Sequence, residues 1–213
     1  MTATRGSGAP TATAEQPAYV RRFSRTERAL HWLNAAGFFA LLGTGAILYL
    51  PALSEAVGRR GFVKDLHVVI AIVWLAGLAC VALAGDRSQL RRTVAELEAF
   101  DDDDLRWLRG RGAPQGRFNA GQKVHAVLQA AFAVLFTISG VLLLAGERDT
   151  DFRLSGTIVV HDTVTLVATV LVLGHLYLAL VHRATRPALR GMLTGTVRRD
   201  WAARHHAKWR IME

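Results

Sequence analysis

Of the eight histidines in the chain, five lie in or at the ends of long apolar stretches: His31, His67, His125, His161 and His175. An ionisable ring in hydrocarbon is costly. A lone one is accounted for by a hydrogen bond to a neighbouring helix, whereas a set matched in depth and face points to a function. His161 and His175 are 14 residues apart. At about 100° and 1.5 Å per residue, that is roughly 40° short of four turns and roughly 21 Å of rise, so both rings leave one helix face at two depths. Neutral imidazole is a good ligand for haem iron, and two axial histidines leave no open position for oxygen chemistry, which suits electron transfer. Two stacked haems, one near each membrane surface, fit that spacing.

Partners for the two rings follow from depth. His67 opens the second apolar stretch at the surface where His161 opens the fourth, so these two match. His31 lies 19 residues before the far end of the first stretch, the level of His175. His125, at the start of the third stretch, fits that level almost equally well, and depth does not choose between them. Gly37, Gly43, Gly45, Gly77, Gly140 and Gly174 offer room for flat macrocycles, although small residues equally mediate helix packing in lipid. Arg25, Arg28, Arg183 and Arg186 stand where haem propionates would need cations, or where snorkelling charges fix topology. Asp162 is a candidate acceptor for a ligand histidine on another helix. His182 sits at the edge of the last stretch, and His205 and His206 lie beyond it.

The elements that must position these residues are the apolar stretches 31–50, 66–84, 124–145 and 154–182, the last carrying a single acid, Asp162. Each is long enough, at 1.5 Å per residue, to cross a hydrocarbon core of about 30 Å. The expected fold is all-α: an integral membrane four-helix bundle with two haems b between its helices. The net charge of +9 is a topology signal and not a nucleic-acid footprint. Of the 26 Lys and Arg, 21 fall in the N-terminal segment, the 85–123 connection and the C-terminal tail, all on one side of an even number of spans. Both termini are therefore expected in the cytoplasm. The single cysteine, Cys80, excludes an internal disulfide, a cysteine-ligated iron–sulfur centre and covalent c-type haem attachment. Four spans with one intramembrane acid offer little for an ion-coupled transporter.

Residues 1–20 read as a disordered leader and 21–182 as the membrane domain. Residues 183–213 form a basic cytoplasmic tail of helices that lie on the membrane surface or grip a partner. Within 85–123 the sequence VAELEAFDDDDLRWLRGR reads as a short amphipathic helix and an Asp run able to cap another turn. Gly112, Pro114 and Gly116 then break the chain.

The sequence resembles the gamma subunit, a cytochrome b, of membrane-bound formate dehydrogenase. The resemblance runs from about Arg21 to the tail. It rests on RFSRTERALHWLNA, LHVVIAIVW, FNAGQK, the HD pair followed after twelve further residues by His175, and WAARHHAKW. It implies that His31 and His175 hold a cytoplasmic-side haem and His67 and His161 an outer one. It also implies a pocket for ubiquinone or menaquinone at Asn119, Gly121 and Gln122, with His175 at its edge; His125 is outside the ligand set. The implied setting is the bacterial inner membrane, with an iron–sulfur beta subunit and a molybdenum or tungsten catalytic alpha subunit as partners. Formate oxidation itself belongs to the alpha subunit, since this chain has no ligand set for such a metal. A cytochrome b serving a nickel–iron hydrogenase or thiosulfate reductase, or a stand-alone dihaem quinone oxidoreductase, would share most of these features. A haem-free membrane anchor is the reading from a different class.

Overall fold

Two of the long helices begin where side chains can cap the backbone, several residues before their apolar runs do. The computed structural model describes residues 18–152 and 154–209. Ser24 starts α1 (Arg25–Tyr49) with a reciprocal pair: its hydroxyl accepts the Glu27 N–H, and the Glu27 carboxylate accepts the Ser24 N–H at 2.6 Å. α2 (Pro51–Val57) follows at once, with Pro51 in the first turn, where its missing N–H costs nothing. Then come α3 (Arg60–Ala84), α4 (Arg87–Glu98) and α5 (Asp102–Leu108), the last capped by Asp101 as the Asp run suggests. A second reciprocal pair, Asn119 with Gln122, starts α6 (Ala120–Arg148). α7 (Thr157–Leu176) continues as a π-helical turn over Tyr177–Val181.

α1, α3, α6 and α7 with its π turn are long and apolar enough to cross a membrane, and they are the four expected spans. Their outer surfaces present Ile72, Val73, Val134, Val141 and Val170, all well exposed, as lipid-facing helices do. α1 packs along α3 and α6 along α7, while the two pairs meet each other at few residues. The first pair closes over glycine: a Cβ at Gly37 would lie 2.2 Å from the Trp74 ring, and one at Gly77 would lie 3.1 Å from Leu33. These two glycines therefore serve close helix packing rather than a macrocycle. Gly43 and Gly174 face open space, and Gly45 and Gly140 lie beside His67 and His161.

One end of the bundle carries a polar cap. β1 (Tyr19–Arg21) pairs antiparallel with β2 (Thr196–Arg198), Val20 opposite Val197. Between α7 and β2 lies α8 (Leu189–Thr194), and α9 (Arg199–His205) follows the strand. Val20, Val197, Trp201 and Ala202 form the cap's buried core, with Ala188 and Trp209 against it. Gly195 turns the chain at φ +86, and its carbonyl accepts the N–H groups of both Arg22 and Phe23. His206 donates from Nδ1 to the Gly116 carbonyl at 2.7 Å; burial, aided by Arg22, pushes its pKa down to about 4 and keeps the ring neutral. The buried Lys123–Asp104 pair, at 2.6 Å, ties α5 to α6.

Three expectations change here. The all-α reading omits the two-stranded ribbon, because three-residue strands carry no detectable period. The tail, expected as helices on the membrane surface or gripping a partner, also contributes a strand and three of the four buried residues of the cap core. Of the 1–20 leader, residues 1–17 lie outside the described residues, while Tyr19 and Val20 are paired in β1.

Candidate functional site

Four elements deliver histidines to the space between the helix pairs, at two levels. Near the end carrying α2, His67 of α3 faces His161 of α7 with ring centres 6.4 Å apart. Near the cap, His31 of α1 faces His175 of α7 at 6.2 Å. His125 of α6 also reaches His175, but its ring lies 5.3 Å away and nearly parallel, at 6°. The structure thus brings together each pair that depth suggests, and it separates His31 from His125 by geometry. Two imidazole nitrogens each about 2 Å from one metal, with a ring centre about 1 Å behind each, put the centres about 6 Å apart. Both opposed pairs meet that spacing; the His125–His175 stack is about 1 Å too close.

Hydrogen bonds set the ring nitrogens at the α2 end. The Thr44 hydroxyl lies 2.9 Å from the Ala40 carbonyl and 2.8 Å from His67 Nδ1. Its one proton goes to the carbonyl, so its oxygen accepts from Nδ1–H. Ser139 does the same between the Leu135 carbonyl, at 2.6 Å, and His161 Nδ1, at 2.8 Å. A neutral ring protonated on Nδ1 keeps its Nε2 lone pair for a metal. The residues fit a haem at this level in both spacing and tautomer. The side chains that bond these two rings are the hydroxyls of Thr44 and Ser139. Both sit at the depth of their histidines, so a count along the helices that included Ser and Thr would have found them.

Asn119, Gly121 and Gln122 lie at the cap end. The Asn119 Oδ1 accepts the Gln122 N–H at 2.9 Å, and Gln122 Oε1 accepts the Asn119 N–H at 3.1 Å and an Arg22 guanidinium N–H at 3.3 Å. With both oxygens committed, the two NH2 groups are the ends left for a ligand. Gly121 makes room for Trp107, whose ring a Cβ there would approach to 3.2 Å. Of the four arginines considered for propionates, Arg28 is committed to the Met192 and Leu193 carbonyls, joining α1 to α8. Arg25, Arg183 and Arg186 are exposed at this end.

Paired histidines facing one another across a bundle of four membrane-length helices are an arrangement suited to a membrane cytochrome of the b type. The chain matches the family model for prokaryotic cytochrome b561 over residues 22–195, and it belongs to that family. Membership implies b-haem binding. Relatives include the cytochrome b556 subunit of formate dehydrogenase from Haemophilus influenzae, 23% identical over 85% of this chain and 78% of its own length. The cytochrome b556(Fdn) subunit of the nitrate-inducible formate dehydrogenase of Escherichia coli is 23% identical over 86% of each chain.

Proposed function

We propose that this chain is the dihaem cytochrome b subunit of a membrane-bound formate dehydrogenase, carrying electrons from an iron–sulfur subunit across the bacterial inner membrane to a quinone. The observation that carries this reading is the pair of opposed histidines repeated at two levels, 6.2 and 6.4 Å between ring centres. The names of the relatives supply the formate dehydrogenase setting. His67 and His161 would hold one haem b and His31 and His175 the other. Together the haems supply one-electron transfer between the two faces. Thr44 and Ser139 orient the first pair, and the His125 ring, stacked flat on His175, holds that ligand from the side. The charge asymmetry supports a cytoplasmic cap and termini, which leaves the α2 end for the iron–sulfur subunit. Asn119 and Gln122 then present amide donors to a quinone carbonyl near the cytoplasmic surface, beside His175, with Gly121 seating the adjoining Trp107.

The test is purification of the tagged chain from its native membrane under mild detergent. A molybdenum- or tungsten-containing subunit should copurify, and formate should reduce the b haem. Reduction by hydrogen with a nickel–iron subunit would move the chain to a hydrogenase instead, and no Soret band would leave only a membrane anchor.

A second expectation follows from the hydroxyls. Thr44→Val and Ser139→Ala each remove the acceptor that fixes a ligand ring, and loss of such a partner weakens metal binding about 10–100-fold. Haem titration of the stripped protein should show one of two sites weakened and the cap-end site unaltered. Equal affinity at both sites in the variants would contradict the assignment.

A further inference from the structure

On the reading of a quinone site beside His175, we propose that Gln129 is a further substrate-binding residue, whose side-chain amide donates to the quinone carbonyl lying deeper in the membrane. Gln129 is a polar residue in the apolar stretch of α6. Its Nε2 is buried and has no hydrogen-bond partner among the described residues. A buried amide donor costs free energy unless an acceptor reaches it, and lipid offers none. Two other buried side-chain nitrogens share this condition, Arg22 Nε and Trp74 Nε1. Arg22 is already held through its Nη2, which donates to the Arg117 carbonyl and Gln122, and the Trp74 indole is packed onto Gly37.

Position gives the acceptor its identity. Gln122, His125 and Gln129 stand at i, i+3 and i+7, so they form one stripe on α6, the stripe from which His125 stacks on His175. Gln122 and Gln129 differ by only about 20° around the axis and by roughly 10 Å along it. The two carbonyl oxygens of a para-quinone are about 5 Å apart, and two hydrogen bonds of about 3 Å bring the span between donors to about 11 Å. That span is comparable to the rise between the two residues, so one head group has the length to bridge the amide of Gln122, near the cap, and that of Gln129, one turn deeper than His125. The ring lies along the stripe next to His175. The site is thereby selective for a molecule with two opposed acceptors.

The experiment uses the whole haem-loaded chain in lipid nanodiscs, with menadiol and decylubiquinol as reductants. Haem reduction is followed at the α band in stopped flow. Gln129→Met keeps the side-chain volume and removes the donor, while Gln129→Asn keeps a donor on a shorter stem. The expected result for Gln129→Met is about a tenfold rise in the quinol concentration giving half-maximal rate. The spectra and midpoint potentials of both haems should be unchanged, and Gln129→Asn should fall between the two. An unchanged half-saturation in Gln129→Met overturns the inference. So does a shifted haem potential at unchanged half-saturation, which would place the amide against a haem edge. If neither quinol reduces the wild-type haem, the proposed quinone function itself fails and this inference falls with it.

Discussion

Replacing His67 or His161 by alanine should leave a protein that holds one b haem where the wild type holds two, and replacing His31 or His175 should do the same at the other level. His125→Ala should keep both. The distinction rests on ring geometry: 6.2 Å between the His31 and His175 centres leaves room for a metal joined to both rings, and the parallel 5.3 Å stack of His125 on His175 does not. The losses at the two levels should also be independent, because each level draws on a separate pair of rings, and α7, which serves both, retains its second histidine in every single variant. Haem per chain, measured as the pyridine haemochrome on purified protein, reads the result directly. Haem retained at full occupancy in His31→Ala but lost in His125→Ala would reassign the cap-end pair to His125 and His175.

The spans and the histidine geometry were legible because both rest on the helical repeat. An apolar run of sufficient length has one reading, and a 14-residue spacing fixes face and depth together. Depth also brings His67 to His161. It leaves His31 against His125 undecided, since ring orientation is a tertiary property with no counterpart in spacing. What escaped was polar and local. The starts of α1 and α6 lie four to six residues before the apolar runs, because Ser24 with Glu27 and Asn119 with Gln122 satisfy the first N–H groups there. The cap joins segments nearly 180 residues apart, Tyr19 to Arg198, through strands too short to show alternation. Arg28, a propionate candidate by position, is instead a brace between α1 and α8. A charge near a membrane surface does not announce whether it faces a ligand, lipid or its own backbone.

The buried charges beneath the cap yield the largest expected loss of stability. Arg117 is 5% exposed in its side chain and bonds the equally buried Glu27 at 2.8 Å. It also reaches Glu96 at 2.5 Å, the Thr93 hydroxyl at 2.6 Å and the Arg22 carbonyl at 2.9 Å. Arg22 returns the last contact, donating to the Arg117 carbonyl at 2.8 Å, and its pKa is lowered to about 10 by burial and by Arg117. Removing one partner of such a pair leaves an uncompensated buried charge, at a cost of about 3–5 kcal/mol. Arg117→Met should therefore loosen the cap, with Glu27 keeping only the hydrogen bonds from Ser24 and Thr93. Removing both charges is far less costly than removing one, so adding Glu27→Gln to Arg117→Met should recover most of the loss; Glu96, half exposed, can return to water. Because Trp201 and Trp209 lie in or against the cap core, their fluorescence should report a lower melting transition in the single variant while the helical circular dichroism of the spans persists. A double variant as unstable as the single one would show that the cap depends on Arg117's backbone contacts and not on its charge.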